Sequence, residues 1–297
     1  MPIRTETVMG TLVTIQVVQA GDAVDRAIER AFGWFYEIED RCSRFRERSE
    51  LMQLTARPGV PVPASPILFE AVRFAWMVAE ETDGAFDPAI GRRMAARGFN
   101  REHRTGEIAR PDGHDENGAT YRDLHLDAQR RTITLLRPLT LDLGAVAKGL
   151  AIDTAARELM PYRDFAIDAG GDLYVGGSNP QGVPWSVGIR HPRRDGELID
   201  CLRVSNMAVC TSGDYERRTP ENDGHHILDP RTGEFPQAVA SATVIATGAM
   251  LADALATAAF VLGPQDGLDL LARMGVDGLI VTPALERHET AGWHDVA

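Results

Sequence analysis

The carboxylate of Asp253 and the hydroxyl of Thr257 stand four residues apart in a stretch with no other charge, SATVIATGAMLADALATAAFVLG, residues 241–263. On a helix this spacing puts both side chains on one face. Met250, Leu251, Leu255, Phe260, Val261 and Leu262 spread over most of the circumference, so the helix is expected to be buried. A buried carboxylate is costly unless it takes a proton or a cation, and the stretch supplies no Lys or Arg. A hard divalent ion held by the two side-chain oxygens answers that cost. Mg²⁺ suits the position, because it takes oxygen ligands and commonly shares them with substrate phosphates. The competing reading is a surface turn of helix in which Thr257 bonds back to the carbonyl of residue 253. Asp253 and the modest hydrophobicity of the Ala and Gly residues argue against a membrane span.

Three further stretches carry chemistry-bearing side chains. In TLDLGAVAKGLAID, residues 140–153, a strand over Leu139–Leu143 is expected to meet Gly144 and open an Ala/Gly-rich helix with Lys148 in its first turns. Small residues let a ligand approach the backbone, a helix N-terminus attracts phosphate, and Lys148 would add a point charge. Close strand–helix packing with a solvated lysine fits the same residues. The spacing is not that of a Walker loop. In GAFDPAIG, residues 84–91, Asp87 precedes Pro88 and is pushed into an extended turn. Its carboxylate is then either available to a ligand or spent in an Asx-turn. In HHILDPRTGEFP, residues 225–236, His226 precedes a turn at Asp229–Gly233; a histidine so placed is more often a hydrogen-bonded structural residue than a base.

The elements that must position these groups are legible from periodicity. Thr11–Val18 alternates and reads as a strand. Asp22–Asp40 reads as a helix with Ala23, Ala27, Ala31, Trp34 and Ile38 on one face, Ser49 caps a second helix, and Ile67–Thr82 forms a third. Residues 100–120 read as an exposed polar loop. AIDAGGDLYVGG, residues 166–177, reads as strand, glycine turn and strand. Strands are expected at Pro184–Arg190, Leu202–Cys210 and Gly278–Thr282, and a helix at Asp266–Met274. The tail after Glu286 gives no functional signal. The 297 residues, 44% hydrophobic and 25% charged, suit one α+β unit with a core over about residues 6–283. Its sheets are expected to be mixed or antiparallel, flanked by helices. The net charge of −12 and the lack of a basic tract set nucleic acid aside as a partner. Cys42, Cys201 and Cys210 are widely spaced and read as buried thiols. No GxGxxG occurs, so a Rossmann mode is not expected.

Taken together, Met9-Gly10-Thr11, SRFRERSEL (43–51), GAFDPAIG, LDLGAVAKGLAID, DAGGDLYVGG, TSGDYER, HHILDPRTG and SATVIATGAMLADALATAAFVLG resemble, in the same order, the FAD:protein FMN transferases, or ApbE-type flavin transferases. The resemblance implies a single ApbE-like unit holding FAD in a central cleft, and a Mg²⁺-dependent enzyme. That enzyme transfers FMN from FAD to a Thr or Ser hydroxyl of an acceptor protein and releases AMP. It implies metal ligands at the Asp253 carboxylate, the Thr257 hydroxyl and the Ala145 carbonyl. It implies flavin contacts from Met9, Phe45, Ala85, Phe86, Asp87, Asp142, Lys148 and Ile227, with His226 as candidate general base and Asp253 as the second catalytic residue. This sequence departs from the family at Phe45, where Tyr is common, and at Arg92, Arg93 and Arg97, where apolar residues and Trp are usual. Competing readings are an FAD pyrophosphatase and a non-catalytic FAD-binding protein. The start MPIRTETVMGTLVTIQVV lacks a signal-peptide pattern or lipobox Cys, so a cytoplasmic location is expected, or a periplasmic one if the sequence is a trimmed form.

Overall fold

In a computed structural model, residues 1–100, 118–216 and 224–294 are described. Strands β1 (Ile3–Val8) and β2 (Thr11–Val17) form a hairpin, and α1 (Asp22–Cys42) and α2 (Glu50–Thr55) follow. Then come β3 (Val62–Pro63), α3 (Pro66–Glu81), a 3₁₀ turn (Pro88–Ile90) and α4 (Gly91–Ala96). After β4 (Leu124–Asp127) and β5 (Thr132–Leu135) come α5 (Gly144–Leu159), β6 (Phe165–Ala169) and β7 (Asp172–Gly176). The chain continues through β8 (Trp185–Arg190), β9 (Leu198–Val204), β10 (Met207–Gly213) and β11 (Ser241–Ala246). It closes with α6 (Ala249–Leu262), α7 (Pro264–Arg273), β12 (Asp277–Val281) and β13 (Arg287–Glu289).

Eight strands make one sheet in the order β1-β2-β6-β7-β10-β11-β12-β13, and every pairing is antiparallel. The expected α+β class with antiparallel sheets is therefore what forms. Alternation along β10 and β11 explains the layering. Ala208, Cys210, Ala242 and Val244 point into the core shared with α1, α3, α5 and α6. Val209 and Ile245 point the other way, into a second core roofed by the β8–β9 ribbon through Val187, Ile189, Leu202 and Val204. Covered on both faces, β11 has every residue buried.

Local chemistry sets most boundaries. Ser49 and Ser65 cap α2 and α3 by accepting the amides of Met52 and Leu68. Gly170-Gly171 turns β6 into β7 with positive φ at both residues. A side chain at Gly170 would collide with Thr11, so the tips of the β1–β2 and β6–β7 hairpins lie against each other.

Several sequence expectations are corrected. The buried face of α1 is Val24, Ala27, Ile28, Ala31, Phe32, Phe35, Ile38 and Cys42; Ala23 is exposed and Trp34 only half-buried. Leu139–Leu143 is buried except at Asp142, yet it is not a strand. Only isolated bonds, Asp142 N–H to Pro88 O and Gly91 N–H to Thr140 O, tie it to the 88–91 turn. Leu202–Cys210 is two strands, broken where Asn206 takes a φ of 55°. Cys201 is exposed on the ribbon, while Cys42 and Cys210 are buried. Most of the expected loop at 100–120 and the segment after Glu216 lie outside the described residues. Among the described residues, no helix is long and apolar enough to cross a membrane.

Helices α5 and α6 cross at Gly149, where an added Cβ would lie 2.4 Å from Met250 Cα and 2.5 Å from the Ala249 carbonyl oxygen. Asp153, one turn further along α5, accepts the Ala249 and Met250 amides at 2.6 and 3.0 Å, so α5 caps α6. The obstruction at Gly149 is backbone and cannot rotate away. Gly149→Ala should therefore cost about 2 kcal/mol and lower Tm by roughly 5 °C, read by calorimetry; an unchanged Tm would mean the helices do not approach this closely.

Candidate functional site

The α5–α6 crossing, the two hairpin tips, the α1–α2 connection and the 225–230 segment enclose a cavity of about 910 Å³. That volume suits a large organic ligand. Met9, Phe45, Ala85, Phe86 and Asp87 border it from the N-terminal third. Asp142, Ala145 and Lys148 border it from the start of α5, His226 and Ile227 from the loop before β11, and Asp253 and Thr257 from α6. The structure thus gathers all of the sequence-derived candidates at one cavity, across 248 positions of chain (9 to 257).

Helix α6 is buried almost all round, and Asp253 is only 6% exposed within it. The Thr257 hydroxyl lies 3.1 Å from Ser212 Oγ at the end of β10. When Thr257 donates that bond, its lone pairs are left for the cavity. Asp253, Thr257 and Ala145 border the same cavity, and together they present a carboxylate, a hydroxyl and a helix carbonyl with a second lone pair. An all-oxygen set of this kind fits Mg²⁺ and does not fit a thiophilic metal.

Cationic side chains at the cavity are matched by acids. Lys148 pairs with Asp172, which is 2% exposed and also accepts the Thr211 amide at 3.2 Å. Arg44, buried at 7%, pairs with Asp142 at 2.7 Å and lies over the Phe45 ring at 4.2 Å. The other Asp142 oxygen accepts the Gly144 amide at 2.8 Å, so this acid also organises the start of α5. Arg190 pairs with Asp195 at 2.9 Å. Sequence reading missed Arg44, Asp172, Ser212 and Asp153 as site-building residues. Each acts on a partner more than 20 residues away, which no local pattern reports.

His226 is half-buried, and its Nδ1 lies 3.2 Å from the Glu216 carbonyl. A carbonyl has no proton to give, so Nδ1 carries the hydrogen and the lone pair of the neutral ring sits on Nε2. His225 takes the opposite tautomer. Its Nδ1 accepts the Ile227 amide at 3.3 Å and its Nε2 donates to Pro236 O at 3.2 Å. Its ring packs on Phe235 and Phe260. The two adjacent histidines therefore divide, one fixed in the core and one bordering the cavity.

Asp87 borders the cavity with both carboxylate oxygens hydrogen-bonded: Oδ1 accepts the Ala89 amide at 2.8 Å and Oδ2 the Tyr121 amide at 3.1 Å. It is an Asx-type cap holding the 88–90 turn. Burial outweighs those two donors and the nearby Arg93 and Arg122, and pushes its pKa up to about 6. Between about pH 4 and pH 6 the native carboxyl keeps a proton that the unfolded chain releases. This group's contribution therefore favours the fold at low pH and is lost as pH rises to 6, by an amount on the order of 2–3 kcal/mol. Denaturant titrations of Asp87→Asn should lack that step; an identical pH dependence in both proteins would refute the assignment.

Comparison with known proteins follows the same division of the chain. The sequence profile of the ApbE family matches residues 9–280. A relative named FAD:protein FMN transferase, from Treponema pallidum, is 35% identical and aligned over 97% of this chain and 86% of its own. The crystal structure of the ApbE protein from Thermotoga maritima superimposes with a TM-score of 0.86 at 29% identity, over 98% of this chain and 97% of that one. The flavin transferase ApbE from Vibrio cholerae gives 0.85 at 25% identity, over 100% and 99%. An eight-stranded antiparallel sheet, a cavity at its helix crossing and a profile match from the first hairpin to β12 lead to one assignment: this chain belongs to the ApbE family.

Proposed function

We propose that this protein is an FAD:protein FMN transferase, moving the FMN half of FAD onto a Thr or Ser hydroxyl of an acceptor protein and releasing AMP, with Mg²⁺ as cofactor. The supporting observation is one cavity bordered by Ala145, Asp253 and Thr257 on α5 and α6 and by His226, whose Nδ1 lies on the Glu216 carbonyl. The name of the Treponema pallidum relative points the same way.

Asp253, Thr257 and the Ala145 carbonyl would hold the ion. When bound, Mg²⁺ would neutralise pyrophosphate charge and act as a Lewis acid on phosphoryl oxygens. Charge balance favours a cation here, because Lys148, Arg44 and Arg190 already face carboxylates and offset only part of a dinucleotide's two negative phosphates. The N-terminus of α5 and Lys148 would orient the phosphates. Phe45, Ala85 and Phe86 would offer an apolar face to a ring of the ligand, with Met9 and Ile227 beside it. Phe45 stacks without adding a hydroxyl contact. His226 Nε2 would accept the proton of the incoming acceptor hydroxyl, the Glu216 carbonyl keeping the ring in the required tautomer.

The test is mass spectrometry of an acceptor peptide after incubation with FAD and Mg²⁺. An adduct with the mass of FMN and equimolar AMP is expected; steady AMP release without acceptor would mean a hydrolase, and tight binding without AMP a flavin store. Asp253→Ala should abolish metal-dependent transfer. His226→Ala should keep FAD binding and slow transfer by about 10²–10⁴-fold. Transfer at the normal rate by Asp253→Ala would refute the metal assignment.

A further inference from the structure

The segment that carries His226 is gripped by Arg93 of α4 and by Arg97 at its C-cap. Helix α4 stands on the cavity wall through Met94. Arg93 Nη1 donates to the Pro230 carbonyl. Arg97 Nη2 donates to the Gly233 carbonyl at 2.5 Å and pairs with Glu234 at 3.2 Å. The Arg97 guanidinium also lies 5.3 Å from the centre of the Phe235 ring. The turn it holds is closed on itself by Gly233 N–H to Asp229 O and Asp229 N–H to Glu234 O. Phe235 in turn meets Phe99 edge-on at 6.4 Å and the His225 ring at 5.5 Å. The carbonyls at Pro230 and Gly233 thus fix the far side of a short segment whose near side is fixed by His225.

From this arrangement we propose that Arg93 and Arg97 are positioning residues that hold His226 in line with its substrate, acting through the 229–234 turn. The proposal rests on His226 being the base of the reaction described above. Arg97 serves the Gly233 carbonyl, the Glu234 carboxylate and the Phe235 ring face together, and a planar guanidinium can bond in its plane while lying over a ring, which a compact lysine ammonium does not reproduce. The cationic side chains also explain why this helix departs from the apolar pattern expected after GAFDPAIG: they face the turn, and only Met94 of this helix is needed at the cavity. A displacement of about 1 Å at a reacting group costs on the order of 10²-fold in rate, so loosening the turn should be felt in turnover before it is felt in binding.

The experiment is a cycle of substitutions in the full-length protein. It reads AMP release with acceptor for turnover, and FAD fluorescence quenching for binding. The Arg93→Met, Arg97→Met double variant should lose about 10-fold or more in kcat while its Kd for FAD stays within about threefold. In the His226→Ala background the same pair of substitutions should cost nothing further, because the base they align is gone. An equal loss in both backgrounds would show a general structural effect and overturn the proposal. So would full turnover in the double variant. Arg97→Lys, which keeps the charge and the fold but not the fork, should lose roughly three- to tenfold in kcat; full turnover in this variant also overturns the proposal. If His226→Ala itself turns over normally, the base assignment fails and this inference falls with it. If His226→Ala is slow and the arginine variants are not, only the positioning role is wrong.

Discussion

The approach of two helix backbones at Gly149 is the constraint on which the site depends. Helix α6 begins where α5 touches it, and the Asp153 carboxylate supplies the hydrogen-bond acceptors that the first turn of α6 lacks. This contact fixes both the distance and the rotation of α6 relative to the start of α5. Asp253 and Thr257, one and two turns along α6, therefore face the cavity that Ala145 and Lys148 border from α5. A bulkier residue at the crossing would separate the two helices and with them the two halves of the oxygen donor set. Burial of the Asp153 carboxyl raises its pKa, yet two amides at a helix N-terminus recover much of that cost.

Electrostatics then determines what the cavity can accept. The protein carries a net charge of −12, so an anionic dinucleotide enters against the overall field. Locally the positive side chains are tied: Lys148 to Asp172, Arg44 to Asp142 and Arg190 to Asp195. The first two pairs are largely buried and the third is solvent-exposed, and in each the acid offsets positive charge that its partner could offer an anion. Under the proposed function, a divalent ion at Asp253 and Thr257 would supply the charge these pairs withhold.

The sequence disclosed what is written locally. The buried helix with Asp253 and Thr257, the Ser49 cap, the Gly170-Gly171 hairpin and the Asp229–Gly233 turn follow from spacing and residue type, and the structure contains each of them. It did not disclose pairings across the chain. Asp87 reads equally as ligand or cap until the Tyr121 amide, 34 residues away, is seen to occupy it. Leu139–Leu143 has the sequence alternation of a strand, but strand pairing needs a neighbour with a matching register, and among the described residues it joins no sheet. The buried stripe of α1 departs from the expected one at two places, with Val24 buried in place of Ala23 and Phe35 in place of Trp34, because neighbouring positions fit helical period equally well until tertiary packing selects between them. The eight matching stretches specify the family because their order survives where single spacings are ambiguous.

The adjacent pair His225-His226 shows how one fold gives two identical side chains different chemistry. Each ring is oriented by a backbone carbonyl, but by opposite nitrogens. Pro236 O engages Nε2 of His225, while Glu216 O engages Nδ1 of His226. His225 also accepts an amide on its second nitrogen and is enclosed by Phe235 and Phe260, so both nitrogens are committed and adding a proton would cost the amide bond and bury a charge. His226 has its Nδ1 oriented by the Glu216 carbonyl, is only half-buried, and borders the cavity. Backbone carbonyls serve this purpose well because they have no protonation state of their own, and the orientation they impose holds at any pH at which the ring is neutral. Discrimination between the two histidines therefore lies in the backbone path of residues 216 and 236, not in the histidines themselves.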